Sequence, residues 1–379
     1  MKILEITNVD FALRQFLLPL MRALRDAGHE VAGACAEGAD LAPARAEGFA
    51  IHAVPLVRSM APGPQFRAFL ALRRLIRQER PDLVHAHMPI SGLLARFAAW
   101  SAGVPVIAYT CHGFLYNQPG PRGRRWLALV LEVLAGKITD LYMTVSTEEA
   151  ADARRLRINR QARPIGNGRD VTRFQPDAAA RARIRAALGV PAERVVVIAV
   201  SRQVRHKGYP ELLRAMEAVP DAELWIVGER LESDHGESLD PFFARAEERF
   251  GERLRRLGRR DDVAALLAAA DIFVLPSHFE GLPMSVIEAM LCGLPIVTTD
   301  IRGPREQVED GRQGILVPPG LAAPLARALN RLVGDPTLRR RMGEAARERA
   351  LAFYDETRVI ARTVALIEAA WRRKAGGFL

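Results

Sequence analysis

Short apolar segments alternate with longer helical patterns along almost the whole chain of 379 residues. The pattern starts with a predicted strand at 2–6 and a predicted helix at 16–27, and it continues to a strand at 141–145. It resumes with a strand at 194–200 and ends with a series of helices. Such alternation is typical of parallel sheets with helices on both faces. At roughly 150 residues per domain, the length then predicts an α/β protein with two domains.

A turn-rich segment separates the two series of strands and helices. It begins Asn167-Gly168-Arg169-Asp170 and ends at Phe174, and its Asn-Gly pair is typical of a loop. We predict an N-terminal domain, a linker region, a C-terminal domain and a final helical segment, over residues 1–166, 167–190, 191–353 and 354–379.

The composition favours a protein of the reducing cytoplasm. The apolar fraction of 49% is ample for two cores, and the three cysteines are too far apart to form a paired motif. The N-terminus is typical of a first strand rather than of a signal peptide. The most apolar run, 126–135, is too short to span a bilayer and contains Glu132. We therefore expect a cytoplasmic protein that is soluble or bound to a membrane surface.

Two glutamates stand eight positions apart in the second half of the chain. Glu280 follows a predicted strand at 271–275 and precedes the turn Gly281-Leu282-Pro283, where a helix containing Glu288 begins. A strand, a sharp loop and a helix start direct backbone amides towards an anion. Eight residues of mostly helical rise span roughly 12 Å, which is of the order of the distance from hexose to ribose in a nucleotide sugar. The alternative is a solvated helix face.

Two basic residues follow another predicted strand of the second half, in the segment Ser201-Arg202-Gln203-Val204-Arg205-His206-Lys207-Gly208. At the carboxyl end of a parallel strand, Arg202 can bind a diphosphate with two hydrogen bonds and Lys207 can add a point charge. The alternative is a pair of solvated surface charges.

The segment around the two glutamates continues Cys292-Gly293-Leu294-Pro295 and then Arg302-Gly303-Pro304-Arg305-Glu306. This run resembles the E-x7-E region of glycosyltransferase family 4, the retaining enzymes of GT-B fold. The segment 201–208 resembles the Arg-x4-Lys element of that family, and 167–174 resembles its interdomain junction. The resemblance covers nearly the whole chain and is strongest from 195 to 319. It implies two Rossmann-like domains that face a cleft, with a C-terminal helix that returns to the N-terminal domain.

The resemblance also implies roles for the residues of the second half. Arg202 and Lys207 would stabilise charge on the leaving diphosphate, Glu280 would orient the donor sugar, and Glu288 would hold the ribose. The segment 258–263, which contains Arg260, resembles the one that meets the nucleotide base, and Gly281, Leu282 and Pro283 complete the substrate loop. With two basic side chains on the leaving group, we expect neither a metal ion nor another cofactor.

In the first half, the segment Tyr109-Thr110-Cys111-His112-Gly113 ends a predicted strand. His112 can donate a hydrogen bond to a sugar hydroxyl or stabilise charge near the anomeric carbon, and it resembles the His-Gly element of capsular and lipid-linked oligosaccharide transferases. A structural histidine is the alternative. His85 and His87 share one face of a strand. A metal site would need further ligands, which the sequence does not show, so we interpret them as cleft or packing residues.

The first predicted strand is followed by Asn8-Val9-Asp10-Phe11, where many members of the family have Gly-Gly. This departure argues against direct contact of the loop with phosphate. It favours a loop that shapes the acceptor site, with Asn8 and Asp10 as substrate-binding residues. The dinucleotide motif G-x-G-x-x-G is also absent here, so the predicted Rossmann-like domain need not hold NAD.

Basic residues are concentrated in the first half of a chain with net charge +10: nine arginines and two acidic residues lie between Arg67 and Arg125. On the predicted helix 66–80, five arginines share one arc with Phe66 and Leu70, namely Arg67, Arg73, Arg74, Arg77 and Arg80. A second basic segment, 122–125, leads a strongly apolar helix. Apolar side chains among arginines suit an anionic membrane surface, and an ordinary solvated face is the alternative. No aromatic platform supports binding of nucleic acid.

The sequence thus predicts a retaining glycosyltransferase on the inner face of the plasma membrane. It would move a hexose or N-acetylhexosamine from a nucleotide sugar, UDP-linked, to a polyprenyl diphosphate-linked or polysaccharide-precursor acceptor, in the synthesis of capsule, exopolysaccharide or lipid-linked glycan. Two alternatives are a nucleotide-sugar epimerase of similar architecture and a catalytically silent scaffold that binds sugar or lipid.

Overall fold

The computed structural model describes residues 1–57, 61–118, 120–230, 234 and 236–376. The chain forms two compact units. The first contains Met1–Gly166 and the chain from Thr357 onward, and the second contains Asn167–Glu356. Residues 167–190, which the sequence predicts to be a linker region, therefore belong to the second unit.

The described residues form thirteen strands and sixteen α-helices. The strands are β1 (Lys2–Ile6), β2 (Glu30–Cys35), β3 (Ala50–Ala53), β4 (Leu83–His87), β5 (Val106–Cys111), β6 (Leu141–Thr144), β7 (Arg163–Pro164), β8 (Val195–Val200), β9 (Ala222–Val227), β10 (Leu254–Gly258), β11 (Ile272–Leu275), β12 (Ile296–Thr299) and β13 (Gly314–Val317). The helices are α1 (Asp10–Ala12), α2 (Leu18–Asp26), α3 (Ala42–Ala46), α4 (Pro62–Glu79), α5 (Pro89–Ala102), α6 (Arg122–Lys137), α7 (Thr147–Arg155), α8 (Ala178–Ala187), α9 (Tyr209–Met216), α10 (Asp240–Phe250), α11 (Val263–Ala269), α12 (Met284–Leu291), α13 (Pro304–Gln307), α14 (Ala322–Gly334), α15 (Pro336–Phe353) and α16 (Glu356–Ala375).

Each unit is built on one parallel sheet. The first sheet has the order β3-β2-β1-β4-β5-β6-β7, and the second has the order β10-β9-β8-β11-β12-β13. The central strands are buried along almost their whole length, which explains why they read as continuous apolar runs rather than as alternating ones. In both sheets the order reverses beside the first strand of the unit, and ligands of open α/β sheets bind at such reversals. The prediction of two Rossmann-like domains is confirmed.

The C-terminal helix α16 packs on the first sheet, as predicted. Its buried residues Ile367 and Ala370 belong to the same apolar cluster as Ile3 of β1 and Met21 of α2. His29 also lies within 3.3 Å of Glu368 on this helix. The end of the chain thus completes the core of the unit in which the chain begins.

A buried ion pair joins α5 to α6 in the first unit. Arg96, which is fully buried, donates two hydrogen bonds of 2.8 Å to the two carboxylate oxygens of Glu132. Tyr142 donates a third hydrogen bond to Glu132 at 2.7 Å, and the guanidinium lies 3.8 Å from the centre of the Tyr109 ring. Each buried polar group therefore has a partner, as burial requires.

The sequence prediction omitted several elements, among them α7, α8 and β10. The helix α8 falls in the segment predicted as linker, and Asp177 caps it by accepting a hydrogen bond from the amide of Ala180. Its buried Arg185 donates to Asp271 at 2.6 Å and to the carbonyl of Ala269 at 3.0 Å. Guanidinium groups anchor the helix together with only two buried apolar side chains, Ala180 and Ile184, so its alanine- and arginine-rich sequence has no strong apolar periodicity.

Candidate functional site

The loops after β8 and β11 meet at the carboxyl edge of the second sheet, where these two strands are neighbours. The backbone amide of His278 donates a hydrogen bond to the carbonyl of His206 at 2.8 Å. Gly208 has a φ of +77°, and a Cβ at this position would lie 2.0 Å from the carbonyl oxygen of Pro276. Only glycine therefore allows the two loops to approach so closely.

Two of the predicted site residues meet between these loops. The Lys207 Nζ atom lies 2.6 Å from Oε1 of Glu280, and the Ser277 hydroxyl donates to the same oxygen at 2.6 Å. Both side chains are largely buried, with 15% exposure for Lys207 and 9% for Glu280. Charge-assisted contacts of this kind orient both groups. Ser277 was absent from the prediction, although it lies only three residues before Glu280.

Arg202 lies in the same loop as Lys207 but has a different partner. Its guanidinium forms an ion pair with Asp234. His206 lies between the two predicted cations in sequence. Burial, followed by the charge of Lys207, lowers the pKa of His206 to about 4, so this histidine is neutral at pH 7. His206 therefore adds no positive charge to the loop, whose charged side chains are Arg202, Arg205 and Lys207.

Glu288, the predicted ribose ligand, is buried on α12 and paired with an arginine from the start of the second unit. The Arg169 Nε atom donates to Oε1 of Glu288 at 2.7 Å. The neighbouring Asn167 donates to the carbonyl of Leu282 at 2.8 Å, and Gln307 donates to the carbonyl of Pro283 at 2.9 Å. The Asn-Gly-Arg-Asp segment thus holds both the loop and the glutamate, a role that the sequence prediction did not assign to it.

The turn Gly281-Leu282-Pro283 leads directly into α12. Pro283 is the N-cap in an extended conformation, and its side chain forms no capping hydrogen bond. A Cβ at Gly303 would lie 1.8 Å from the carbonyl of Gly281, so the loop after β12 closes against this turn. The N-cap side chain therefore does not accept hydrogen bonds from the backbone amides in the first turn of α12.

Arg260 differs from the other predicted residues because it is exposed and bound to its own neighbour. It donates two hydrogen bonds to the carboxylate of Asp262, at 2.8 and 2.6 Å. Gly258, at the end of β10, accepts a hydrogen bond of 2.7 Å from the amide of Gly228. This backbone contact joins the ends of β9 and β10 near the segment predicted to meet the base.

In the first unit, the loop after β1 is held by its own neighbours. The Asp10 carboxylate accepts hydrogen bonds from the amides of Phe11 at 2.7 Å and Asp40 at 3.2 Å. The carbonyl of Asn8 accepts from the amide of Ala36 at 3.3 Å. The contacts of Asp10 therefore tie the start of the first helix to the loop after β2.

His112 follows β5 directly and belongs to a cluster with four other side chains. Its Nε2 lies 3.3 Å from Nδ1 of His87, and Nε2 of His87 lies 2.8 Å from Oε2 of Glu5. His85 contacts Oε1 of Glu5 through Nδ1 at 3.0 Å and Thr110 through Nε2 at 2.8 Å. His85, His87 and Glu5 are buried, whereas His112 is half-buried.

The expectation that no further ligand-type residue lies near His85 and His87 is wrong. Among the described parts of the chain, Glu5, His85 and His87 form the one group of three such residues whose donor atoms all lie within 4.8 Å of one another. The proximity could not be predicted from the sequence, because Glu5 lies on β1 and the histidines lie on β4, about 80 positions later. The same atoms are hydrogen-bonded to each other in the structure, so we assign them to a hydrogen-bonded cluster.

Comparison with known proteins gives two glycosyltransferase families, one for each half of the chain. Residues 14–173 match the family described as Glycosyltransferase Family 4, and residues 180–349 match Glycosyl transferases group 1. EpsD of Bacillus subtilis, which is assigned as a glycosyltransferase, is 30% identical over 374 residues, covering 96% of this chain and 94% of EpsD.

One further relative and one solved structure are similar to this chain. The UDP-Gal:α-D-GlcNAc-diphosphoundecaprenol α-1,3-galactosyltransferase of Escherichia coli is 27% identical over 299 residues, covering 75% of this chain and 74% of that enzyme. The crystal structure of Anabaena HepE in complex with UDP superposes with a TM-score of 0.81 and 22% identity, covering 97% of this chain and all of HepE, and it shows the same fold. The overlap with EpsD along nearly the whole chain, together with the two family matches, shows that this protein belongs to glycosyltransferase family 4 and is a glycosyltransferase of glycan biosynthesis.

Proposed function

We propose that this enzyme transfers a hexose or N-acetylhexosamine from a UDP-sugar to a polyprenyl diphosphate-linked acceptor, with retention of the anomeric configuration. The observation that carries the proposal is the buried contact of Lys207, Glu280 and Ser277 beside the start of α12. It combines a cation, a carboxylate and a helix N-terminus, which suit a diphosphate attached to a sugar. The Escherichia coli relative is named for a UDP-galactose donor and an undecaprenol diphosphate acceptor, which supports the choice of both substrates.

Each residue of the second unit has a distinct role in this proposal. Lys207 and Arg202 stabilise the negative charge that develops on the leaving diphosphate. Glu280, oriented by Ser277, accepts hydrogen bonds from hydroxyls of the donor sugar. Arg169 holds Oε1 of Glu288, and we assign Oε2 of the same carboxylate to the ribose hydroxyls. Because preorganised cations neutralise the leaving group, the reaction needs no divalent metal ion.

Purified enzyme with a panel of UDP- and GDP-sugars and polyprenyl diphosphate-linked N-acetylglucosamine tests the proposal. We expect UDP release together with a longer lipid-linked product, an α linkage when the donor is α-linked, and an unchanged rate in excess EDTA. A free epimer formed without acceptor would identify the epimerase alternative. Donor binding without UDP release would identify the scaffold, and a loss of activity that magnesium or manganese restores would contradict the metal-free mechanism.

We also propose that the enzyme works at the inner face of the plasma membrane, on its cytoplasmic side, through a basic-apolar surface on α4, α5 and α6. The helix α5 packs against both of the others. Six exposed apolar side chains define this surface: Phe66, Leu70, Trp100, Trp126, Leu127 and Leu134. Exposed arginines flank them on α4 and α6: Arg67, Arg74, Arg77, Arg122, Arg124 and Arg125. Such a surface places apolar groups in the headgroup region of an anionic bilayer and arginines at its phosphates.

The structure corrects one residue of the predicted arc. Arg73 is half-buried and donates a hydrogen bond of 3.2 Å to the hydroxyl of Ser101, so it faces α5. In the parts of the chain that the structure describes, no helix is both long enough and apolar enough to cross a bilayer.

Replacing Arg74 and Arg124 with glutamine should weaken binding to vesicles that contain anionic phospholipid. We expect a loss of about 1 kcal/mol per arginine, or roughly 30-fold for the pair, because each side chain leaves the surface potential of the bilayer. The matched control replaces the exposed Arg340 and Arg341 of α15, with the same change in net charge. Equal vesicle affinity of both variants in sedimentation assays would show that α4 and α6 have no special contact with the membrane.

A further inference from the structure

In the first unit, the carboxylate of Glu5 is in contact with two histidines, His85 and His87. A carboxylate that is ionised can only accept hydrogen bonds. Its oxygens lie 2.8 Å from Nε2 of His87 and 3.0 Å from Nδ1 of His85. Burial opposes ionisation of Glu5, but the charge and hydrogen bonds of the two histidines outweigh it and lower its pKa to about 2. Because both nitrogens face an acceptor-only carboxylate, both carry protons, and their 3.2 Å separation from each other is a contact between two donors that share Glu5.

The other nitrogen of His87, Nδ1, faces His112. Burial, followed by repulsion from His85, lowers the pKa of His87 to about 4, even though Glu5 opposes this change. His87 is therefore neutral at pH 7, and a neutral imidazole has one N–H group and one lone pair. Since Nε2 carries the proton, Nδ1 carries the lone pair and accepts a hydrogen bond.

The lone pair on Nδ1 of His87 determines which nitrogen of His112 carries a proton. Its Nε2 lies 3.3 Å from Nδ1 of His87, so His112 must donate from Nε2. Burial and the neighbouring histidines lower the pKa of His112 well below its usual value, so this ring is also neutral. The polar atom that remains for a ligand on the half-buried ring is Nδ1, which carries a lone pair.

We infer that Glu5 and His87 are positioning residues whose hydrogen-bonded chain fixes the tautomer of His112, so that His112 presents Nδ1 to the sugar substrate as a hydrogen-bond acceptor. This inference rests on the proposed sugar transfer. It revises the expectation from the sequence that His112 donates a hydrogen bond to a sugar hydroxyl. An acceptor at this position binds a sugar hydroxyl through the proton of that hydroxyl, and the hydroxyl oxygen stays available to other donors.

The wild-type protein allows a direct test that does not depend on activity. In protein labelled with [15N]histidine, long-range ¹⁵N–¹H correlation spectra distinguish an Nε2–H tautomer from an Nδ1–H tautomer and from an imidazolium. The His112 signals are identified by their loss in His112→Ala. We expect the Nε2–H tautomer at pH 7.5, and an Nδ1–H tautomer or an imidazolium at His112 would overturn the inference.

Variants then test whether His87 sets this tautomer. His87→Phe removes the acceptor and should give His112 a mixture of tautomers. The matched control is Thr110→Val, which removes a hydroxyl from the same buried cluster at His85 and should leave the His112 signals unchanged. If His87→Phe does not fold, Glu5→Gln serves instead, because an amide has only one acceptor oxygen for two histidine N–H groups and should populate the second tautomer. A pure Nε2–H tautomer in the variant that folds would overturn the inference.

Kinetics separate this inference from the proposed function. In the transfer assay His87→Phe should lower kcat roughly 3- to 10-fold with little change in the donor KM, as expected for one lost neutral hydrogen bond. The double variant His87→Phe, His112→Ala should be no slower than His112→Ala alone, because both changes remove the same contact. A wild-type protein that transfers no sugar would refute the proposed function, whereas a mixed tautomer with unchanged kcat would refute only the positioning role.

Discussion

Replacing Lys207 with alanine should lower the kcat of sugar transfer about 100- to 1,000-fold. The reason is the place of Lys207, whose ammonium is largely buried and lies 2.6 Å from Glu280 at the carboxyl edge of the second sheet. Negative charge on the leaving diphosphate is greatest in the transition state, so loss of a preorganised cation affects turnover more than donor binding. Steady-state rates of UDP release with saturating acceptor measure the effect.

The matched control for this prediction is Arg205→Ala. Arg205 lies two residues earlier on the same loop, where it contacts Glu211 at 3.4 Å and lies 5.8 Å from the centre of the Phe242 ring, with 45% of its side chain exposed. We expect this variant to keep near wild-type turnover, since it removes the same charge from a position outside the contact with Glu280. A folded Lys207→Ala enzyme with normal kcat, shown by an unchanged melting temperature, would remove Lys207 from the leaving-group site.

The largest effect on stability is expected for Glu132→Gln. This change keeps the size of the side chain but leaves the fully buried Arg96 without a counter-charge, and breaking a buried ion pair in this way costs about 3–5 kcal/mol. In domains of this size each kcal/mol lowers Tm by about 2–4 °C. Three of the four tryptophans lie in the first unit, so tryptophan fluorescence in a Trp225→Phe background reports the unfolding of that unit.

An exposed ion pair with similar geometry provides the control for Glu132→Gln. Arg45 donates two hydrogen bonds to Glu37 at 2.7 and 2.8 Å, as Arg96 does to Glu132, but both side chains are exposed to solvent. Glu37→Gln should leave the unfolding transition almost unchanged, because water screens and replaces such a contact. Equal changes in Tm for the two substitutions would mean that burial does not determine how much the Arg96–Glu132 pair contributes to the free energy of unfolding.

Four glutamates, Glu280, Glu288, Glu5 and Glu132, show which features of this protein can be predicted from the sequence. Glu280 and Glu288 stand in a motif of neighbouring residues, and the strand before Glu280 and the helix that contains Glu288 were predicted correctly. Glu5 and Glu132 stand in segments that read as an ordinary strand and an ordinary apolar helix. Glu5 is paired with two histidines and Glu132 with an arginine, and these partners are remote in sequence. No local sequence pattern predicts these pairs.

The sequence by itself determined the α/β class, the presence of two Rossmann-like domains, the family, and the strand and helix that flank the loop of Glu280. These features depend on apolar periodicity, turn residues and local motifs, which are properties of residues close together in the chain. Only the tertiary structure decided which charged and polar groups are paired. Arg169 and Glu288 are 119 positions apart, and Glu5 and His87 are 82 positions apart. Parallel strands are joined by long crossovers, so their carboxyl ends bring together residues that are remote in sequence, and the register of the sheet selects which of them meet.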